Sequence, residues 1–154
     1  MKLSHFFTTL IALQGISQAE EPYRVLAGGL VKDYGVASDV MQLHSLMFDS
    51  KPRKNHPIKV QIAGLFKDTI SKGSKVAVNV KYEAINLLKL DIDFCDFIVN
   101  IGTGLKCPIS PGQFNVSMTQ KISSFTPPGK YQFTLTGYSS KRARLFKDIA
   151  EFKL

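Results

Sequence analysis

The chain has only two cysteines, Cys95 and Cys107, and both fall in one stretch, DIDFCDFIVNIGTGLKCPISPG, over residues 91–112. An alternating run leads into it. Leu88, Leu90, Ile92 and Phe94 fall on one side, and Lys89, Asp91 and Asp93 on the other. That is the period of a strand with one buried face. A short loop with Gly102 and Gly104 comes next. Cys107-Pro108-Ile109 then leads to a turn signal, Pro111-Gly112, and a fresh alternating run opens at Phe114. A Cys95–Cys107 disulfide would close this loop across the end of a sheet, and loops of this size contribute roughly 3 kcal/mol by restricting the unfolded chain. A redox pair is the alternative. It lacks C-x-x-C spacing and any visible environment that would acidify a thiol.

The first nineteen residues have the three parts of a secretory signal. Lys2 is the positive end, Phe6 to Ile16 is mostly apolar and too short to span a bilayer, and Ser17-Gln18-Ala19 puts small residues where a peptidase inspects them. Cleavage is expected after Ala19, which places the mature chain in an oxidising compartment where a disulfide persists. Without Lys2, 19 Lys and Arg face 12 Asp and Glu, a net charge of +7. A basic balance suits acidic polymers or anionic membranes. Export argues against nucleic acid and leaves an anionic lipid surface, met transiently, as the expected charged partner.

Residues 20–37, with Pro22, Gly28-Gly29 and Gly35, show little periodicity and are expected to be an irregular leader. Leu43, Leu46 and Phe48 open the folded part as a short strand. A polar, proline-bounded loop follows, from Asp49 to Pro57. Ile58, Val60, Ile62 and Gly64 alternate with Lys59, Gln61 and Ala63; Val76, Val78 and Val80 alternate with Lys75, Asn79 and Lys81. Further strands are expected over Ile85–Phe94, Gln113–Thr119, Tyr131–Thr136 and Leu145–Phe152, with a hairpin tip at Tyr138-Ser139-Ser140-Lys141. About seven strands at regular spacing describe an all-β protein, an antiparallel β-sandwich.

Chemistry-bearing patterns are sparse. The mature chain has only His44 and His56, with no ligand-spaced partners, so neither a zinc site nor a Ser/His/Asp catalyst is expected. No phosphate-binding glycine loop occurs. Asp91, Asp93 and Asp96 lack the glycine and glutamate of a calcium loop. The expectation is a non-enzyme without a cofactor or a metal. Asn115-Val116-Ser117 is a glycosylation sequon, with Asn115 on the polar side of its strand. Two basic clusters, Lys51/Arg53/Lys54 and Lys141/Arg142/Arg144, could steer the protein to anionic head groups.

Several stretches together resemble the ML-domain lipid-recognition family, which includes the fungal phosphatidylglycerol/phosphatidylinositol transfer proteins and the Niemann-Pick type C sterol carrier. They are QLHSL at 42–46, LKLDIDFC at 88–95, KCPISPG at 106–112 and PPGKYQFTLTGYS at 127–139. The resemblance spans about 38–152, so 38–154 is expected to be one ML-type lipid-binding domain. It implies an immunoglobulin-like sandwich whose sheets are splayed around a lipid. The implied function is carriage of one phospholipid or sterol between membranes, by a monomer, in a secreted or endolysosomal/vacuolar lumenal setting. Apolar inner-face residues would then line the cavity: Ile62, Val78, Leu90, Phe94, Phe114, Val116, Phe125, Tyr131 and Phe133. The resemblance also points to a second family disulfide near Tyr34 and Phe146. Neither is a cysteine here, which implies a looser leader. The alternative to a carrier is a secreted sandwich with a filled core that acts as an interaction module and holds no lipid.

Overall fold

The computed structural model describes residues 20–154; the expected signal sequence lies outside the described residues. The described chain forms nine strands: β1 (Arg24–Leu26), β2 (Val31–Asp33), β3 (Met41–Phe48), β4 (Pro57–Phe66), β5 (Lys75–Tyr82), β6 (Ile85–Asp93), β7 (Gly112–Lys121), β8 (Lys130–Tyr138) and β9 (Arg144–Lys153). An α-helix, α1 (Phe94–Asn100), follows β6, and a one-turn 3-10 segment, Ala27–Gly29, joins β1 to β2. The expected antiparallel sandwich forms from two sheets. One has six strands in the order β1-β2-β9-β8-β5-β6, and the other has three, β3-β4-β7.

Register lays the inner faces out in rows. Across the larger sheet one row reads Arg24, Asp33, Asp148, Leu135, Val78, Leu90, and the next reads Leu26, Val31, Ala150, Phe133, Val80, Leu88. In the smaller sheet, Leu46, Ile62 and Val116 form one row and Phe48, Val60 and Met118 the next. A bulge between Leu43 and Ser45 resets the alternation of β3, leaving His44 exposed. The extra residue lets Leu43, Leu46 and Phe48 all face inward despite their uneven spacing. Gly64 has a packing reason: a Cβ there would meet the Gln42 carbonyl at 2.3 Å and the Phe114 ring at 2.9 Å. Without it, Phe114 lies over the strand and stacks on Phe66 at 4.5 Å between centroids.

Three expectations need correction. Phe94 does not end a strand. Asp93 caps α1, its side chain accepting from Asp96 N at 2.9 Å, and the chain turns helical from Phe94. The apolar side of β6 is not a buried face either, because β6 is the sheet edge and Leu88 remains 47% exposed. Finally, the leader is neither irregular nor loose. β2 pairs with β9, Tyr34 N bonds to Lys147 O at 2.9 Å, and Arg144 reaches the Tyr34 carbonyl at 2.9 Å and Asp39 at 2.7 Å. Where the resemblance implied a second disulfide, hydrogen bonds and a buried ion pair tie residues 34–39 to β9. Phe146 is used in the core instead.

The solid core fills one end of the sandwich. Ile70, Val76 and Leu145 have no exposed surface there and pack with Phe66, Phe94, Ile98 and Ile109. Cys95 and Cys107 are joined, as expected, with their Cα atoms 5.7 Å apart, and Cys107 packs against this cluster. The bond fastens the α1 segment over the core.

Candidate functional site

Beyond the core the sheets separate, and a cavity of about 240 Å³ lies between them. Its walls are the inner faces of β3, β4 and β7 on one side and of β2, β8 and β9 on the other. Phe97, Ile98, Ile101 and Leu105, from α1 and its following loop, close the flank. Ile62, Phe114, Phe133 and Leu135 sit mid-strand on inner faces, yet they are only half-buried because their opposite neighbours across the gap do not fill the space. An apolar cavity of roughly 150 Å³ already stays dry and takes up small hydrocarbons. From the core the cavity extends toward Phe48 and Met118, at the end that carries the loops 49–56 and 122–129.

Of the nine expected lining residues, Ile62, Phe94, Phe114, Val116 and Phe133 do line it. Val78 packs against the solid core, and Leu90 lies on the edge strand beside it, so neither reaches the cavity. Tyr131 belongs to an aromatic block with Tyr82, Phe133 and Phe152. Its hydroxyl donates to Pro127 O, and that of Tyr82 to Pro128 O, each at 2.8 Å. Gly129 completes this clasp: its φ is +148°, and a Cβ would lie 2.6 Å from the Tyr82 ring. The PPGKY motif therefore holds a loop and does not line the cavity. Phe125 lies on that loop and is 93% exposed.

Other lining residues escaped the sequence reading. Phe97, Ile98 and Ile101 belong to the missed helix, whose signal was the Asp93-x-x-Asp96 spacing before an apolar run. On β9, Phe146, Asp148 and Ala150 face in with the period of two. An acidic residue in that inward series masked it. Thr103 and Asp148 are the polar residues in the wall. Asp148 lies opposite Asp33, whose carboxylate is held by Arg24 Nε at 3.1 Å and Gly35 N at 2.8 Å. Burial first, and the neighbouring Asp33 carboxylate second, push the Asp148 carboxyl up to about 7.

The two basic clusters lie at opposite ends. Lys51, Arg53 and Lys54 are on the loop beside 122–129, because Asn55 N bonds to Ile122 O at 2.8 Å. Lys141 and Arg142 are exposed on the β8–β9 turn, above the solid core. Arg144 is not a free surface charge, since it is committed to Asp39, which is 1% exposed. Asn115 is exposed on β7, an edge strand.

A sequence model described as the ML domain matches residues 35–146. The chain belongs to the ML-domain family. Among relatives of this ML protein is a phosphatidylglycerol/phosphatidylinositol transfer protein of Cryptococcus neoformans, 28% identical, covering 80% of this chain and 69% of that one. A putative protein of the same description from Dictyostelium discoideum is 34% identical over 63% of this chain and 66% of its own. The Aspergillus fumigatus relative is 29% identical, and the match spans 54% of its length. Among solved structures, a Niemann-Pick type C2 protein from the Japanese carpenter ant aligns with a TM-score of 0.58 at 11% identity, over 76% of this chain and 94% of that one. Chicken MD-1, solved with lipid IVa, aligns at 0.54 and 16% identity, over 87% and 98%. At these identities the structural likeness concerns the fold.

Proposed function

We propose that this ML-domain protein is a carrier that holds one phospholipid or sterol in its inter-sheet cavity and moves it between membranes. The observation that carries the reading is the cavity itself: two apolar inner faces that do not pack on each other. The transfer activity named for the fungal and Dictyostelium relatives supports it. The mechanism is partition. Burying an acyl chain contributes about 0.8 kcal/mol per CH₂, and the bilayer offers nearly the same, so exchange is close to thermoneutral. The encounter face is the end with Lys51, Arg53 and the exposed Phe125, where positive charge meets anionic head groups and an aromatic side chain can enter the interface. The disulfide fits a secreted or lumenal setting. Asn115, exposed on β7 and pointing away from the inward-facing Val116, suits a glycan.

Native mass spectrometry of the exported protein, with lipid extraction, tests the reading: one lipid per chain is expected. Val116→Trp, which puts an indole into the cavity, should cut uptake of a fluorescent lipid and leave the lipid-free melting point near that of the wild type. In a filled core the same change overpacks and costs about 1–3 kcal/mol. That loss, together with no bound lipid in the wild type, would favour the interaction module.

A further inference from the structure

Asp148 is a polar group in a wall that carries only one other, Thr103. Its position is set by register, not by chance of a loop: it lies between Phe146 and Ala150 on the inner face of β9, one row beyond the solid core. Among the described residues no donor reaches its Oδ1, which is buried. A buried acceptor without a donor costs more than a net hydrogen bond contributes, so such atoms normally have partners. Its partner on β2, Asp33, supplies none: that carboxylate acts as an acceptor toward Arg24 and Gly35, and the hydrogen bond between the two carboxyls runs from the protonated Asp148 to Asp33, which leaves Oδ1 unserved. Water is a poor solution. A lone buried water needs two to four polar contacts; apart from Asp33, the adjoining positions are Leu135, Ala150 and Val31, and the Thr103 hydroxyl is already committed to Ile98 O and Leu105 N.

We infer that Asp148 is a hydrogen-bond anchor inside the cavity, receiving the hydroxyl of a ligand that is otherwise apolar. This rests on the carrier reading and narrows it. Oδ1 accepts an O–H whether or not the carboxyl carries a proton. An anion is unsuited to the spot. The charged groups around it are Asp33 on β2 and Asp39 on the following loop, and the cation that acts on it, Arg24 on β1, is engaged by Asp33 and the Leu43 carbonyl. A phosphate head group therefore belongs at the far end of the cavity. The ligand that uses Asp148 enters hydroxyl first, as an alcohol on a hydrocarbon body: a sterol or a diacylglycerol.

The test uses the whole exported chain and three fluorescent probes: dehydroergosterol, a pyrene-labelled 1,2-diacylglycerol and pyrene-labelled phosphatidylglycerol. Each of the two alcohols is compared with its O-methyl ether, which has no donor. Wild type should bind at least one alcohol about tenfold more tightly than its ether, the factor of one hydrogen bond. The alcohol that shows the preference identifies the body. Asp148→Leu should abolish the preference while phosphatidylglycerol uptake persists. Asp148→Asn retains the acceptor and should keep it. Alcohol and ether bound equally by wild type, or a preference that survives Asp148→Leu, overturns the inference even if Asp148→Asn behaves as wild type. Uptake of phosphatidylglycerol with neither alcohol overturns it but leaves the carrier standing; no uptake of any probe removes both.

Discussion

At the scale of single residues, Asp148 connects the cavity to pH. Its carboxyl is raised to about 7 by burial and by Asp33, well above the ordinary value of 3.8. The folded chain therefore holds a proton there that the unfolded chain has released. Between pH 4 and pH 7 this group makes stability fall as pH rises, and the penalty is complete above pH 7. Asp148→Asn removes the charge and keeps the shape. Relative to wild type, the variant should be more stable by about 2–4 kcal/mol at pH 8 and by under 1 kcal/mol at pH 4. Urea unfolding of both proteins at the two pH values measures this; a difference that does not change with pH would mean Asp148 is not the group that titrates. Residue by residue, the sequence was informative where alternation was clean. Ile62, Phe114, Val116 and Phe133 were legible as inward-facing, and they line the cavity. Tyr131 was legible as inward-facing too, and it is buried beside Phe133, but alternation does not say that the cavity stops short of that strand end; Phe125 was not legible, because it lies in a connection with no alternation.

At the scale of elements, Arg144 shows how a basic residue misleads when read as part of a charge run. It follows a tight turn, Ser139–Ala143, closed by Ser139 N to Ala143 O at 2.8 Å, and as the first residue of β9 its side chain reaches Asp39. Asp39 accepts from Arg144 through both oxygens and from Val36 N, and it fixes the entry of the chain into β3. Removing one partner of a buried pair leaves the other charge without compensation. Arg144→Ala should therefore cost on the order of 3 kcal/mol, and Asp39→Asn with Arg144→Leu together should cost less than the sum of the two. A double-mutant cycle by chemical denaturation measures the coupling; additive effects would show that the pair is not what ties the leader down. The same region explains why the absence of the second family disulfide does not free the N-terminal segment. β2 adds a strand to β9, and Lys147 lies over the Tyr34 ring at 5.2 Å. The two strands β1 and β2 are three residues each, too short for alternation to register in the sequence.

At the scale of the molecule, charge and cavity share an axis. The solid core and the disulfide occupy one end, and the cavity reaches toward the other, where Lys51, Arg53 and Phe125 are exposed. Under the carrier reading, Lys51→Glu with Arg53→Glu should slow lipid transfer from anionic vesicles roughly tenfold at low salt, with little effect on neutral vesicles or in high salt. Lys141→Glu with Arg142→Glu, at the closed end, should change transfer little. Stopped-flow transfer of a fluorescent phospholipid separates the pairs; equal slowing by both would mean that net charge, not the cavity end, governs encounter.

The sequence by itself determined the sandwich, most of its strands, the hairpin between the last two, the disulfide and the family. Alternation, turn residues and two cysteines are local signals, and each survives whatever the other sheet does. It could not determine that the core is solid at one end and open at the other. An apolar residue reads alike whether it meets a side chain or a void. Only the distance between the sheets decides that, and it depends on α1, the bulge in β3 and the seat of Phe114 over Gly64. Asp148 is the sharpest case. Its inward position follows from β9's period of two, but its lack of a donor follows from what β2 and β8 place beside it, and those neighbours are distant in sequence.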